Sequence, residues 1–167
     1  MADIRVRHAQ PEDHDAVVRL TLAAYRRDGQ LAGPSGDYAA TLADVAARTA
    51  VAEVLVATDD LGLVLGSVTL TPYGSPLADL ARPGEGGFRM LAVDPVAQGR
   101  GVGEALVRAC VARAVEDGST AISIFSRDFA TDAFRLYSRL GFERDPERDR
   151  AVGPGIQLWA WSYLITR

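Results

Sequence analysis

Gln98, Gly99, Arg100, Gly101, Val102 and Gly103 are the residues of this chain whose types and spacing most plainly suit a chemical task. Before them, Phe88 to Val93 is a short apolar run with one charge, which predicts a buried strand. After them, Leu106, Val107, Cys110, Val111 and Ala114 recur at helical spacing, with Arg108, Arg113 and Glu116 on other faces. Strand gives way to helix across alternate glycines. The first amides of a helix have no intrahelical acceptor, and the helix dipole turns its positive end toward them. With side chains removed by the glycines and a guanidinium added by Arg100, such a turn suits an anion, and a pyrophosphate in particular.

Missing residues narrow the choice of phosphate ligand. The nucleoside-triphosphate loop needs a lysine after its last glycine, and all 18 basic residues here are arginines. The dinucleotide fingerprint needs a third glycine three places after the second. Counted from Gly99 and Gly101 that place is Glu104, and counted one glycine later it is Leu106.

Composition bounds the rest. With 167 residues the chain reads as a single domain over residues 1–167, able to bury about two thirds of its unfolded surface. No run approaches the roughly 20 apolar residues of a membrane span, and the first residues lack a signal peptide's apolar core, so a cytoplasmic location is expected. One cysteine excludes an internal disulfide, and with two histidines beside it a Cys/His metal site is not expected. Cys110, on the apolar helix face, reads as a core thiol. Formal net charge is −4 with no basic block, so no nucleic-acid footprint is expected. The mixed charges from Glu143 to Arg150 read as solvated surface.

The elements that must position the glycine turn follow in order. Residues 4–7 alternate as a first strand, and Pro11-Glu12-Asp13 open a helix over 11–27. A Gly/Pro loop at 28–37 leads to a second helix over 38–48. Residues 54–57 and 63–70 form a hairpin, with Gly66 marking a bulge or a close backbone approach. Residues 71–87 are irregular and expected to edge the site. Gly118 ends the central helix, 121–125 is a strand, and 133–140 is a helix stopped by Gly141. Residues 157–165 alternate as a last strand with Trp159, Trp161 and Tyr163 on one face, which could serve a core or a homodimer.

Val93-Asp94-Pro95, two residues, then 98–103 opening a helix closely resembles the coenzyme A loop of the GNAT superfamily of acyl-CoA N-acyltransferases. Gln98, Gly101 and Gly103 occupy that loop's Gln/Arg, Gly and Gly/Ala positions. Leu136-Tyr137, three residues, then Gly141-Phe142 resembles the family's second block. The resemblance implies an α/β fold: a mixed, mostly antiparallel central sheet whose parallel central strands splay apart, with flanking helices. It implies acetyl-CoA as cosubstrate and a small-molecule or peptide amine as acceptor; composition, as above, gives no expectation of a metal, nucleic acid or membrane.

By the same resemblance the coenzyme would lie on Leu91, Ala92 and Val93, on Gln98, Gly99, Arg100, Gly101, Val102, Gly103 and Glu104, and on Ser126 and Tyr137. Tyr137 stands where the family keeps the acid that protonates the leaving thiolate, and it also lies on an apolar helix face. The family's strand glutamate falls at Gly87, so the general base is sought at Glu85, or in a water chain, or in an amine already neutral. The family's pantetheine-binding asparagine falls at Ala130, with Ser126 or Asp128 as substitutes. Arg89 needs a partner, for which Glu85 or an acidic acceptor would serve. Tyr25, Asp37 and Tyr38 are acceptor-site candidates. No cysteine or serine stands in a nucleophile setting, so direct attack in a ternary complex is expected. The alternatives are an acyl-CoA-binding module without turnover, motivated by the missing glutamate, and a protein that holds another nucleotide in the glycine turn.

Overall fold

One arginine ties the first strand to the first helix. In the computed structural model, which describes residues 3–78 and 81–166, β1 (Arg5–His8) leads through a 3-10 turn at Pro11–Asp13 into α1 (His14–Arg27). Arg7 forks onto Asp13 at 2.6 and 3.0 Å, and the same carboxylate accepts from the Gln10 amide at 2.7 Å. Of the irregular stretch 71–87, Asp79 and Leu80 lie outside the described residues, as do Met1 and Ala2 of the first segment and Arg167.

The helix expected over 38–48 is two helices, α2 (Tyr38–Ala43) and α3 (Val45–Val51). Asp44 divides them because its carboxylate accepts from the Ala47 amide at 3.1 Å, capping the second helix. β2 (Val54–Thr58) and β3 (Val64–Leu70) form the expected hairpin. Asp59 closes its turn by accepting from the amides of Leu61 and Leu63 at 3.0 and 2.9 Å. Then follow β4 (Glu85–Gly86), β5 (Phe88–Val93), α4 (Val102–Glu116) and β6 (Ala121–Arg127). α5 (Thr131–Arg139), β7 (Glu143–Arg144), β8 (Arg150–Gly153) and β9 (Ile156–Leu164) complete the chain. None of the described helices is long and apolar enough to cross a membrane.

Gly87 is where the chain changes sheets. β4 runs parallel to β6, in a sheet ordered β4-β6-β9-β7 with β8 on β9. One residue later β5 joins the antiparallel sheet β1-β2-β3-β5. Beyond Gly86 and Ile122 the two central strands therefore part, β5 pairing with β3 and β6 with β9. Their facing edges keep backbone groups outside either ladder.

Helices cover both faces of the first sheet. Val17, Leu20 and Val45 pack on Val56, Val64 and Ala92, while Val102, Leu106 and Cys110 pack with Leu55, Ala57 and Leu65. Each fully buried aliphatic side chain contributes roughly 1.5–3 kcal/mol. Gly66 makes the second contact close. A Cβ there would lie 2.8 Å from Val102 Cγ1 and 2.9 Å from Ala92 O, so the close approach read from the sequence is real. The ladder also slips between Ala57 and Thr58, opposite this glycine.

The aromatic face of β9 belongs to the core. Phe134 stacks on Trp159 at 5.0 Å, Tyr137 meets Trp161 at 5.9 Å and Phe142 meets Tyr163 at 5.2 Å. α5 ends in a Schellman turn, with Gly141 at φ 93° and the Phe142 amide donating to Tyr137 O at 2.9 Å.

The segment 143–150 is not the solvated surface its charges suggest. Arg144 grips Asp149 with two bonds of 2.8 and 2.7 Å and lies over Trp159 at 4.4 Å. Asp149 also accepts from the Ala160 amide at 2.7 Å. These bonds hold its carboxylate below the ordinary range, so its contribution to stability is complete above about pH 4 and fades as pH falls further.

Candidate active site

The glycine turn is fixed from behind by Asp94. This buried carboxylate accepts from the Val96 amide at 3.2 Å and from Arg19 at 2.9 Å, anchoring a 3-10 turn at Pro95–Ala97. Gly99 and Gly101 then take φ of 76° and 84°, a left-handed region that side chains resist. Ala105 N gives the first helical bond, to Gly101 O at 3.0 Å, so the amides of Val102, Gly103 and Glu104 precede the ladder. Gln98, Gly99, Arg100 and Gly101 are exposed, and Arg100 forms no ion pair among the described residues.

Gly103 serves packing instead. A Cβ there would press Leu136 of α5 at 3.2 Å. The Glu104 carboxylate is held by Arg108 at 2.9 Å and Arg139 at 3.2 Å, the first of which chiefly lowers its pKa. Of Glu104, the backbone amide is therefore the group left for a ligand, and its charge is offset by two guanidiniums.

The parted strands enclose a cavity of about 780 Å³. On its β5 wall the ladder is interrupted: Thr69 pairs with Arg89 and Ser67 with Ala92, leaving Met90 and Leu91 opposite Val68 alone. Met90 takes φ of 56°, unusual for a residue with a side chain, and Arg48 donates to its sulfur at 2.6 Å. Leu91, which lines the cavity, thus stands where the β3–β5 ladder is interrupted. Ala92 is buried and Val93 half-buried next to it.

Tyr137 packs in the aromatic core at the edge of the cavity. Its ring packs on Phe88 at 6.0 Å and Phe142 at 5.7 Å, and the residue lines the cavity. Among the described residues its hydroxyl has no hydrogen-bond partner. Burial pushes its pKa up, so the hydroxyl remains a proton donor across the working pH range. Burial likewise raises the Cys110 thiol, which sits in the core as expected.

Ser126 lines the same cavity and accepts from Trp161 Nε1 at 3.0 Å, keeping its own proton to donate. Ala130 also lines it, while Asp128 is exposed. Tyr25, Asp37 and Tyr38 meet there too, together with Leu77 and Ala78 of the long loop.

Glu85 and Arg89 are not partners. The chain changes sheets between them, so the shared face assumed for a continuous strand does not exist. Glu85 lies off the cavity lining, receives Arg148 at 3.0 Å and accepts from the Arg82 amide at 2.8 Å. Arg89 instead donates to the Tyr38 hydroxyl at 3.2 Å and to Leu77 O at 3.4 Å. Gly87, where the resemblance in sequence would put a glutamate, has no room for a side chain: a Cβ would lie 2.6 Å from Ser123 O.

Several lining groups had no signal in the sequence. Ser123 Oγ is buried without a partner among the described residues, and Arg127 reaches from the end of β6 to Ser35 Oγ at 2.8 Å. Asp28 is held above the ordinary carboxylate range by burial and then by Asp132. Ser123 and Arg127 share β6, while Asp28 follows α1, and only the fold brings them together.

A family model described as an acetyltransferase (GNAT) domain matches residues 50–144, a span that includes the splayed strands, the glycine turn and α5. The chain belongs to the GNAT acetyltransferase family, enzymes that use acetyl-CoA to acylate amines. No curated protein matches the sequence. Among solved structures, a GNAT-family acetyltransferase from Staphylococcus aureus superposes with a TM-score of 0.74 at 12% identity, covering 98% of this chain and 100% of that one. A GCN5-related N-acetyltransferase from Kribbella flavida gives 0.70 at 24% identity, covering 97% and 98%. YncA of Salmonella typhimurium, solved with its cofactor acetyl-CoA, gives 0.64 at 17% identity, covering 99% and 96%. At these identities the likeness is one of fold.

Proposed function

We propose that this chain transfers an acetyl group from acetyl-CoA to a primary amine of a small molecule or peptide, by direct attack in a ternary complex. The observation that carries the reading is the cavity between β5 and β6, which is lined by Tyr137 and by Leu91 at the interrupted stretch of β5.

The residues present fit the coenzyme. The amides of the turn, from Gln98 and Gly99 through Arg100, Gly101, Val102 and Gly103 to Glu104, would hold its pyrophosphate. The backbone of Leu91, Ala92 and Val93 would pair with the amides of its extended arm, with Ser126 donating from the facing strand. Acetyl-CoA supplies a thioester carbonyl as the electrophile. Backbone groups at Leu91 orient and polarise that carbonyl. Tyr137 gives its proton to the departing sulfur as the C–N bond forms and the C–S bond breaks. The amine's proton leaves through cavity water, with Asp28 on the lining as an acceptor whose proton affinity is raised by burial.

Tyr137→Phe keeps the ring packing and removes only the hydroxyl. We expect kcat to fall about 100-fold, measured by thiol release, with acetyl-CoA affinity within about twofold of the parent. An unchanged kcat would remove Tyr137 from the mechanism.

Glu85 has a structural role in this account. Glu85→Gln is expected to keep kcat within about threefold while costing roughly 1–3 kcal/mol of stability, because the charge facing Arg148 is lost. A drop of 100-fold or more in kcat with a normal melting temperature would restore it as the base. A second reading, an acyl-CoA-binding module without turnover, is favoured by the missing strand carboxylate at Gly87. Tight acetyl-CoA binding with no acetylated product across a wide amine panel would support it.

A further inference from the structure

Arginines at comparable depth elsewhere in this molecule meet carboxylates: Arg148 meets Glu85, Arg144 meets Asp149 and Arg113 meets Glu53. At the cavity the pattern fails. Arg89, on its wall, donates only to the neutral Tyr38 hydroxyl and Leu77 carbonyl. Arg48, just behind, is 5% exposed, donates to the Met90 sulfur and to Leu42 O at 3.1 Å, and its Nε has no acceptor among the described residues. Burial chiefly, and in part the Arg89 charge, lower its pKa, so the two guanidiniums feel one another. Neither forms a salt bridge with a described carboxylate. Two cations this close, one of them buried, carry a cost that a bound anion would offset.

The rest of the lining limits which anion fits. Arg127, which donates to Ser35 Oγ, and Asp28, Asp37 and Asp132 line the same cavity, so its wall carries both signs. That combination disfavours a dianion and suits a molecule with one carboxylate and one amine. Arg89 stands two residues before Leu91, across the bulge at Met90, and both residues line the cavity. A small zwitterion held at the guanidinium therefore reaches the place where the acyl carbonyl would lie.

We propose that the acceptor is a free amino acid, its carboxylate seated on the Arg89 fork beside the Tyr38 hydroxyl and its amine directed toward Leu91. Arg48 fixes the bulge at Met90 and adds positive potential from behind. This rests on the acyl-transfer reading above and specifies its acceptor.

The test uses the full chain with acetyl-CoA and a panel of the twenty amino acids, each matched to its amide and its decarboxylated amine, with products identified by mass spectrometry. At least one amino acid should be acetylated with kcat/KM about 10- to 100-fold above its amide and amine, the range of a charge-assisted hydrogen bond. Arg89→Met should bring that ratio close to one, mainly through KM. Arg89→Lys should recover part of it, and Tyr38→Phe should lower it by a smaller factor. Calorimetry with acetyl-CoA on each variant reports that it is folded. The proposal is overturned if amides or amines are used as well as the amino acids, or if no amino acid reacts although acetyl-CoA binds. It is equally overturned if Arg89→Met leaves the ratio intact. If wild type does not bind acetyl-CoA, the acyl-transfer reading falls and this proposal falls with it.

Discussion

Gly101→Glu should bind acetyl-CoA at least about 100-fold more weakly than the parent chain while remaining folded. Gly101 caps α4 at φ 84°, and a Cβ built there meets nothing within 4 Å. The added side chain therefore strains the backbone without displacing a neighbour, which costs about 1–2 kcal/mol. For a domain of this length that is a fall of about 2–8 °C in melting temperature. Binding suffers more. The carboxylate stands beside the helix-start amides and covers the place a pyrophosphate would take, and losing two charge-assisted bonds costs about 3–6 kcal/mol. Calorimetry on both proteins checks this, with ATP and NAD as controls. Equal affinity in the two would move the coenzyme away from this turn.

The second large effect is expected from Gly87→Glu. It would place a carboxylate where the resemblance in sequence puts one, yet it should cripple the protein instead of activating it. Its Cβ would lie 2.6 Å from the Ser123 carbonyl oxygen and 3.0 Å from Thr71 Oγ1. The first of these is backbone of β6, so only a shift of the strand can relieve the contact. Overpacking of this kind costs about 3 kcal/mol or more, a loss of at least about 6 °C in melting temperature. Thermal unfolding and thiol release on the same sample check it. A stable and faster Gly87→Glu enzyme would show that β4 and β6 part more widely than described here.

The glycine turn was legible because its shape depends on backbone. Gly99 and Gly101 are required by left-handed φ values, and that requirement shows directly as residue type and spacing. The hairpin, the central helix and the aromatic last strand were legible for a similar reason, since local periodicity records which face is buried. The partner of Glu85 was not, because Arg148 lies 63 residues away and a strand that changes sheets at Gly87 looks continuous in sequence. Residues 143–150 misled for another reason. Alternating charges resemble a wet surface, yet Arg144 and Asp149 satisfy each other over a tryptophan. Asp44 reads as one more helix position, and only its side chain's bond to the Ala47 amide shows that it ends one helix and begins another. The cavity's polar lining was the least legible part. Arg89 shows in the sequence only as a charge inside a strand, and nothing local relates it to Ser123 and Arg127 of β6 or to Asp28 beyond α1.

The most direct measurement is product formation itself: the purified chain, acetyl-CoA and an amine panel, with free coenzyme A thiol and acetylated amine quantified together. The two products are expected in equal amounts, at a rate that Tyr137→Phe lowers about 100-fold. Acetyl-CoA bound tightly with neither product formed would contradict it and leave a binding protein on an acetyltransferase fold.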